Sequence, residues 1–473
     1  MKKYITTLIL IISFSVLNYA QFGTSSGVDA RSMGMAKTYN ATSEGVYSIG
    51  INPANLMFMK HSVEISTVLP LPFLTLRSGT NFVSIDDINY FFGRVNGKPR
   101  YLSNSDKKRF EDLFKNGGFV LANLGMNLFS LSINTGKNIG AFAFSINDVV
   151  SARFDFPKAL IEIALTGNPI GKEYNLSDAK AKAWWIRDYS FSYAKSFKNV
   201  LPNIFDNFSA GVTFKYVNGY AYVATDTVST TFSTKADGTI TGNAGFRAVT
   251  SFSKNFGVKY DFQNQTTANS SGFSPFPSPA GTGFGFDLGL AASMNHVWRF
   301  ALSVTDIGNM KWTNNDAQFT ASGKISINNI TDTSQTNELK NKIQGKSSNL
   351  VEFTTDLPTA FRLGVSYYFD RSHNLIPGTL LLAFGYNQGF NNAPGNSKNP
   401  RISFGAEWKP GDWIPFIRTG ISFGGIFGFH WGLGLGFDAG PLEFNFATSD
   451  FQAVIAPNSA RYLSIAFGSR WKF

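Results

Sequence analysis

The residue types that most often carry chemistry are sparse in this chain of 473 residues. Cysteine is absent, which excludes disulfides and every cysteine-ligated metal site or cluster. The histidines are far apart and lack the short spacing of metal ligands; they are His61, His296, His373 and His430. We therefore predict neither a metal site nor a cofactor.

Two features resemble enzyme motifs but fit a strand better. Gly281, Gly283, Gly285 and Gly289 are spaced like a dinucleotide-binding loop, yet they alternate with large apolar residues and no βαβ unit follows. His430 is the one histidine that we consider as the base of a hydrolase, and a structural role is favoured for it. The chain is predicted not to be an enzyme.

Charged and polar side chains recur at positions that alternate with aromatic residues. They are Asp188, Lys215, Arg362, Arg401, Glu407, His430, Glu443 and Arg470. One interpretation is a paired network that fills an enclosed space, because buried charges require partners. The other is that they line a passage or bind a polar head group. Both remain open from the sequence.

The last thirteen residues, Arg461–Phe473, show the pattern on which the other segments are built. Large apolar side chains occupy most odd positions, and small or charged side chains occupy the even ones. Because a strand sends alternate side chains to opposite faces, one face is aromatic and the other small or charged. Phe427–Phe437 repeats the pattern, with glycine or His430 at every second position.

The composition indicates a wall between lipid and water. The chain has 47 phenylalanines and 45 glycines, and only 15% of its residues are charged; about a quarter is usual for soluble domains. A soluble β-sandwich would also alternate, but its buried strands would favour valine and isoleucine. We therefore predict an all-β fold, a transmembrane antiparallel β-barrel with lipid-facing aromatic residues.

The domain boundaries follow from composition. Residues 1–20 carry Lys2 and Lys3 before a short apolar run and are predicted to be a cleaved signal peptide. Residues 21–61 read differently from the later strands, and 62–473 form the barrel. Insertions interrupt it near 85–118, 152–183 and 309–357. Short helices are predicted in them, at 105–114 with Ser105 or Asp106 as cap, at 157–165, and at 338–343.

The strand number follows from the residues that remain when the segment 21–61 and the insertions are set aside. At roughly 20 residues for each strand and turn, they suffice for about fourteen strands. Sixteen is the next choice, because bacterial barrels prefer even numbers.

The segment 21–61 resembles the N-terminal region of the FadL/PorV-like outer-membrane barrels. The resemblance rests on Met33-Gly34-Met35 and on Asn52-Pro53-Ala54, where Asn52 can cap a helix that begins at Pro53. It implies that Met33, Gly34, Asn52 and Pro53 belong to a plug or hatch inside the barrel. Residues 214–219, 283–289 and 305–312 resemble a Bacteroidota-type barrel family of unsettled function.

The resemblance implies a protein of the outer membrane of Gram-negative cells, to which it is exported by means of its signal peptide. The leading hypothesis is a passive FadL-like channel for small hydrophobic molecules, gated by the hatch. The alternative is a non-transporting PorV-like partner barrel of a secretion or surface-assembly system, which would bind a protein through its long loops. The net charge of +11 fits lipopolysaccharide as a partner, and no nucleic-acid motif accompanies it.

Overall fold

The computed structural model describes residues 29–197, 200–269, 274–328, 334–335, 337, 345–369, 376–425 and 428–473. The expected signal peptide 1–20, residues 21–28 of the expected hatch, the whole helix expected at 338–343, His373 and Phe427 lie outside the described residues. In the described part of the chain, no helix is both long and apolar enough to cross a membrane.

The described residues form 25 strands. In chain order they are β1 (Val63–Thr67), β2 (Phe73–Thr80), β3 (Arg94–Val95), β4 (Lys98–Pro99), β5 (Gly118–Asn134), β6 (Ala141–Phe156), β7 (Glu173–Asn175), β8 (Lys180–Phe197), β9 (Asn207–Val228), β10 (Thr231–Thr234), β11 (Ile240–Phe252), β12 (Val258–Asp261), β13 (Thr266–Asn269), β14 (Gly281–Met294), β15 (Trp298–Trp312), β16 (Asp316–Ile327), β17 (Lys346–Asn349), β18 (Phe353–Asp356), β19 (Ala360–Phe369), β20 (Thr379–Gly389), β21 (Arg401–Lys409), β22 (Phe416–Gly424), β23 (His430–Ala439), β24 (Leu442–Thr448) and β25 (Tyr462–Lys472).

The helices are short. The α-helices are α1 (Ala30–Gly34), α2 (Ile85–Phe92), α3 (Asn104–Leu113), α4 (Lys158–Thr166) and α5 (Gln452–Ile455). The 3₁₀ turns are Gly45–Ser48, Pro53–Phe58, Lys254–Phe256 and Pro457–Ser459.

Fourteen antiparallel wall strands close into one barrel. The first is β1 continued by β2 and the eighth is β18 continued by β19; the others are β5, β6, β8, β9, β14, β15, β20, β21, β22, β23, β24 and β25. The last strand closes the ring on the first, with Glu64 opposite Lys472 and Leu74 opposite Phe467. Closure leaves no edge without a hydrogen-bonded neighbour, which lipid would not tolerate. The predicted fold class and the count of fourteen are confirmed.

The two faces of the wall differ as the sequence predicts. On β23, Leu435 and Phe437 are about two-fifths exposed on the outside. A Cβ added at Gly432 or Gly434 would instead meet the backbone of residues 33–36 inside the barrel. On β25, Leu463 and Ile465 face outward, whereas Ala466 is fully buried. The outer face is therefore apolar and the inner face is small or polar, as a membrane barrel requires.

The connections that follow β2, β6, β9, β15 and β20 lie at the barrel end opposite the start of β1 and the end of β25. The wall strands continue past the barrel at that end, where β9 pairs with β11 and β11 with β16. Strand β6 runs to Phe156 and β8 begins at Lys180, so both enter the insertion expected at 152–183. Much of 309–357 is also strand. Polar residues form strands here because a paired sheet outside the lipid needs no apolar face.

The helices of the insertions agree in part with the sequence. Helix α4 is preceded by Pro157 and ends at Gly167, as predicted. Helix α3 begins earlier than expected, because Ser103, and not Ser105 or Asp106, is its cap. Asp106 completes the capping box, and hydrogen bonds from Tyr90 and Ser103 lower the pKa of Asp106 to about 2. Helix α2 was not predicted.

Candidate functional site: the barrel interior

Residues 29–59, here called the interior segment, are almost entirely buried and contact wall strands around most of the barrel. Asp29 caps α1 by accepting a hydrogen bond from the Ser32 N–H. Ala36 and Lys37 adopt left-handed backbone conformations (φ 50° and 61°), which turn the chain after this helix. Asn52 caps the turn that begins at Pro53, as the sequence predicts.

Glycines of the wall give the interior segment room to approach. A Cβ at Gly432 would lie 2.6 Å from the Met33 carbonyl oxygen, and one at Gly420 would lie 2.4 Å from the Met35 carbonyl carbon. Gly34 and Gly434 pack backbone to backbone, since a Cβ on Gly34 would lie 2.9 Å from the Gly434 Cα. These contacts explain why residues 420, 432 and 434 are glycine.

Two asparagines connect the interior segment to the opposite side of the wall. The Asn52 amide donates to the carbonyls of Leu290 (3.1 Å) and Leu302 (3.2 Å) on β14 and β15. The Asn40 amide donates to the Ala301 carbonyl at 3.0 Å. Pro53 lies beside them, with its Cδ 2.9 Å from the position of a Cβ on Gly289. The hatch residues named from the sequence therefore all contact the wall.

A buried ion-pair network, here called the lower network, connects α1 to strands β21 and β22. The Arg31 guanidinium donates two hydrogen bonds to the Glu407 carboxylate, at 2.8 and 2.9 Å. Arg418 donates to the same carboxylate at 2.5 Å. One carboxylate thus lies between two guanidinium groups, of which that of Arg418 is 1% exposed.

The lower network continues to the seam where the barrel closes. Arg470 on β25 pairs with Glu443 at 2.7 Å and with Glu64 at 3.0 Å. Tyr47 of the interior segment donates a hydrogen bond to Glu443, and its ring lies 4.5 Å from the Arg470 guanidinium carbon. Charges on the first and last wall strands are therefore neutralised by each other and held by the interior segment.

A second group, the upper cluster, lies on the inner face of β8, β9, β14 and β15. Lys215 contacts Asp306 at 2.6 Å and Asp287 at 2.9 Å, and all three are fully buried. Asp188 accepts hydrogen bonds from Ser190 (2.7 Å) and Asn147 (3.2 Å). Lys215 is thus paired with two carboxylates, whereas Asp188 is held by neutral hydrogen-bond donors.

Arg362 and Arg401 lie closer to the interior segment. Arg362 donates to the Thr305 hydroxyl, and both guanidinium groups lie near Tyr39. Arg401 also approaches the Lys37 carbonyl at 3.4 Å. The eight charged or polar candidates predicted from the sequence are thus inside the barrel, but the structure distributes them over separate groups and does not bring them into one site.

His430 belongs to a third group. Its ring nitrogens face the Arg77 guanidinium at 2.7 and 3.0 Å and the Asp450 carboxylate at 3.0 Å. Arg77 itself pairs with Asp450 at 2.7 Å. A general base would need its ring nitrogen directed at a nucleophile, whereas this imidazole lies against a cation. In the described residues, no group of three or more His, Cys, Asp or Glu side chains is placed to hold a metal ion.

An apolar cluster, here called the aromatic cluster, covers the inner wall beyond the upper cluster, toward the long loops. Trp184, Tyr222, Met310, Trp312 and Leu357 form its centre. Trp312 is fully buried and its ring lies 5.2 Å from that of Tyr222. The loop between β20 and β21 folds into the barrel mouth against this cluster. Apolar surface inside a barrel is unusual for a water-filled pore.

Several interior charges were missed in the sequence. Arg77, Asp287 and Arg418 alternate with exposed apolar residues on their strands, so the period of two was enough to identify them. Asp306 and Asp450 gave no such signal. Asp306 lies at a register shift with φ 57°, and Asp450 lies in the connection after β24.

The sequence pattern of one family, described as a family of unknown function (DUF5723), matches residues 59–450. No curated protein matches the chain. Similar solved structures include a Pseudomonas aeruginosa FadL homologue, with a TM-score of 0.45, 11% identity, and coverage of 96% of this chain and 100% of that one.

Two further similar structures are hydrocarbon channels. The Pseudomonas putida toluene transporter TodX has a TM-score of 0.43 and 10% identity, over 96% of this chain and 100% of that one. The CymD monoaromatic hydrocarbon channel has a TM-score of 0.43 and 11% identity, over 95% and 98%. FadL-like barrels are thus among the structures similar to this chain.

Proposed function

Because the chain belongs to a family of unknown function (DUF5723), we propose its function from its own interior: a gated outer-membrane channel for small hydrophobic molecules. The interior segment acts as the gate. The observation that carries the proposal is the aromatic cluster inside a closed barrel. The lower part of the same barrel is filled by the interior segment, which is followed in sequence by one wall strand, β1.

The aromatic cluster supplies the binding surface. Pockets for small molecules are mostly apolar with a few placed polar groups, and the side chains around Trp184 and Trp312 have that character. A hydrophobic solute that takes the place of the mouth loop against the cluster buries its own apolar surface there. Its transfer from water is favourable for that reason.

The interior segment supplies the barrier. It is held by hydrogen bonds from Asn40 and Asn52 and by the Arg31–Glu407 pair, all of which can break without breaking a strand of the wall. A segment that is held by side-chain contacts, and not by a ladder of backbone hydrogen bonds, opens locally at a lower cost in free energy. Displacement of residues 29–59 would therefore open the lower lumen while the barrel stays closed in its ring.

The proposal is tested by uptake of a hydrophobic fluorescent probe, N-phenyl-1-naphthylamine, into Gram-negative host cells. Cells that express the protein are expected to take up the probe several times faster than cells with an empty vector. Leu357→Gln places an amide in the aromatic cluster and is expected to remove most of this gain, because an amide in an apolar site costs about 1–3 kcal/mol.

The control for that variant is Val351→Gln, since Val351 is 79% exposed outside the barrel. It is expected to transport like the unmodified protein. Folding is checked by the different migration of unheated and heated barrels in gel electrophoresis. Equal uptake by expressing and empty-vector cells would contradict the channel and would favour the partner-barrel alternative, for which the exposed Phe92 and Tyr101 near the long loops offer a protein-binding surface.

A further inference from the structure

A cavity of about 900 Å³, here called the vestibule, lies at the loop end of the barrel. Its walls come from the starts of β5 and β8, the end of β6 with the residues before α4, and the loop between β20 and β21. All of these elements are at the end away from the closing strand's terminus. The vestibule is therefore separate from the lower network and from the interior segment.

The vestibule is strongly cationic. Six basic side chains line it, against the carboxylates of Asp155 and Asp178; they are Lys115, Arg153, Lys158, Lys180, Lys182 and Lys398. Only some of these cations form ion pairs with acidic side chains. Arg153 pairs with Asp155, and Lys158 pairs with Glu111 and Glu162 outside the cavity.

Three lysines of the vestibule are available to a ligand. Among the described residues, Lys115, Lys180 and Lys398 have no ion-pair partner, and all three are exposed. They come from three different elements around the cavity. An excess of cations with low-dielectric walls raises the local concentration of anions.

The rest of the lining is rich in neutral hydrogen-bonding groups. Six asparagines line the vestibule, among them Asn116, Asn175 and Asn392. An amide carries donors and an acceptor, which is the pairing that sugar hydroxyls need. The Asn175 and Asn392 oxygens already accept the Ser177 and Lys398 backbone N–H groups, so these two side chains offer chiefly their NH₂ donors. Few large apolar side chains are present; Phe119, one of them, is covered by the Arg153 guanidinium at 4.3 Å.

We infer that the vestibule binds a short acidic oligosaccharide. Its carboxylate or sulfate groups pair with Lys115, Lys180 and Lys398, and its hydroxyls pair with the asparagine amides. A single small anion would leave most of a 900 Å³ cavity unused, and a hydrophobic solute would gain nothing from the positive charge of the lysines. The inference does not rest on the channel proposed above.

The test is calorimetric titration of the full-length barrel in detergent with tetragalacturonic acid, with a sulfated tetrasaccharide, and with neutral maltotetraose. Binding of either acidic sugar is expected, and comparison of the two distinguishes carboxylate from sulfate recognition. Raising the salt concentration should weaken binding, because exposed charges are screened. Maltotetraose is expected to bind at least about tenfold more weakly, which corresponds to about 1.4 kcal/mol.

The triple variant Lys115→Gln/Lys180→Gln/Lys398→Gln is expected to weaken acidic-sugar binding by about tenfold or more. The matched control removes the same charge elsewhere, at the exposed Lys235, Lys254 and Lys259, and should bind within about twofold of the unmodified protein. The inference is overturned if neither acidic sugar binds, if maltotetraose binds as tightly, or if the two triple variants weaken binding equally.

Discussion

Deletion of residues 21–60 is expected to convert a closed barrel into a conducting one. The wall keeps its backbone ladders without the segment, because β25 pairs directly with β1 and β2. The vacated lower lumen is lined by small, polar and charged side chains and will fill with water. Ionic conductance of the purified protein in planar bilayers should rise severalfold, because the lumen of a barrel conducts ions once it is aqueous.

The mouth loop between β20 and β21 also lies in the lumen, since Asn396 and Ser397 are buried there. A variant that lacks both residues 21–60 and the mouth loop, residues 390–400, should therefore conduct more than the variant that lacks residues 21–60 alone. The control removes the β12–β13 hairpin, residues 258–269, whose two strands pair with each other and with no wall strand, and should leave conductance unchanged. Baseline conductance in both the single and the combined deletion, with folding verified, would argue against an occluding role for residues 21–60.

Glu407→Gln is expected to have the largest effect of any single substitution on stability. The carboxylate neutralises both Arg31 and Arg418, whose side chains are 9% and 1% exposed. Removing one partner of a buried pair leaves an uncompensated charge and costs about 3–5 kcal/mol. The measurement is guanidinium unfolding of the barrel reconstituted in phospholipid vesicles, followed by tryptophan fluorescence.

Asp226→Asn serves as the comparison for this variant. Asp226 pairs with Arg247, but their side chains are 51% and 42% exposed outside the barrel. An exposed pair contributes about 0–1 kcal/mol, so the free energy of unfolding should change little. A similar loss in the free energy of unfolding in both variants would contradict the stabilising effect expected from burial of the Arg31–Glu407–Arg418 group.

Most of the fold could be predicted from the alternation of side chains along the strands. The faces of β23 and β25 follow from a period of two, because lipid and lumen select opposite residue types on one strand. The same rule places Lys215, Glu407 and Glu443 inside. It does not give their partners, because Arg31 is joined to Glu407 across 376 positions of sequence. Such pairs depend on how the interior segment is threaded through the ring.

The boundaries of the insertions were harder to predict for a different reason. Strand β9 has 22 residues, far more than the 9–11 or so that a tilted strand needs to cross a bilayer. Its upper part pairs with β11 in water, where no alternation of apolar residues is required. The register shift at Phe286/Leu288 likewise displaces Asp306 from any simple alternation.

The central claim is that the interior segment lies against the wall and must move for a solute to pass. Ala41→Cys/Gly364→Cys tests it most directly, because the chain contains no other cysteine. The Ala41 Cβ lies 3.1 Å from where a Cβ at Gly364 would be, a few tenths of an ångström inside the separation of about 3.5–4.5 Å in disulfides. The new Cβ would also lie 2.7 Å from the Ala41 backbone nitrogen, so the interior segment must shift slightly to accept it, and the single Gly364→Cys variant controls for that shift.

Under oxidising conditions this pair is expected to form a disulfide that stops uptake of the hydrophobic probe, and dithiothreitol should restore uptake. Each single cysteine variant should transport under both conditions. Failure of the disulfide to form in the folded barrel, or undiminished uptake by the cross-linked form, would contradict the account.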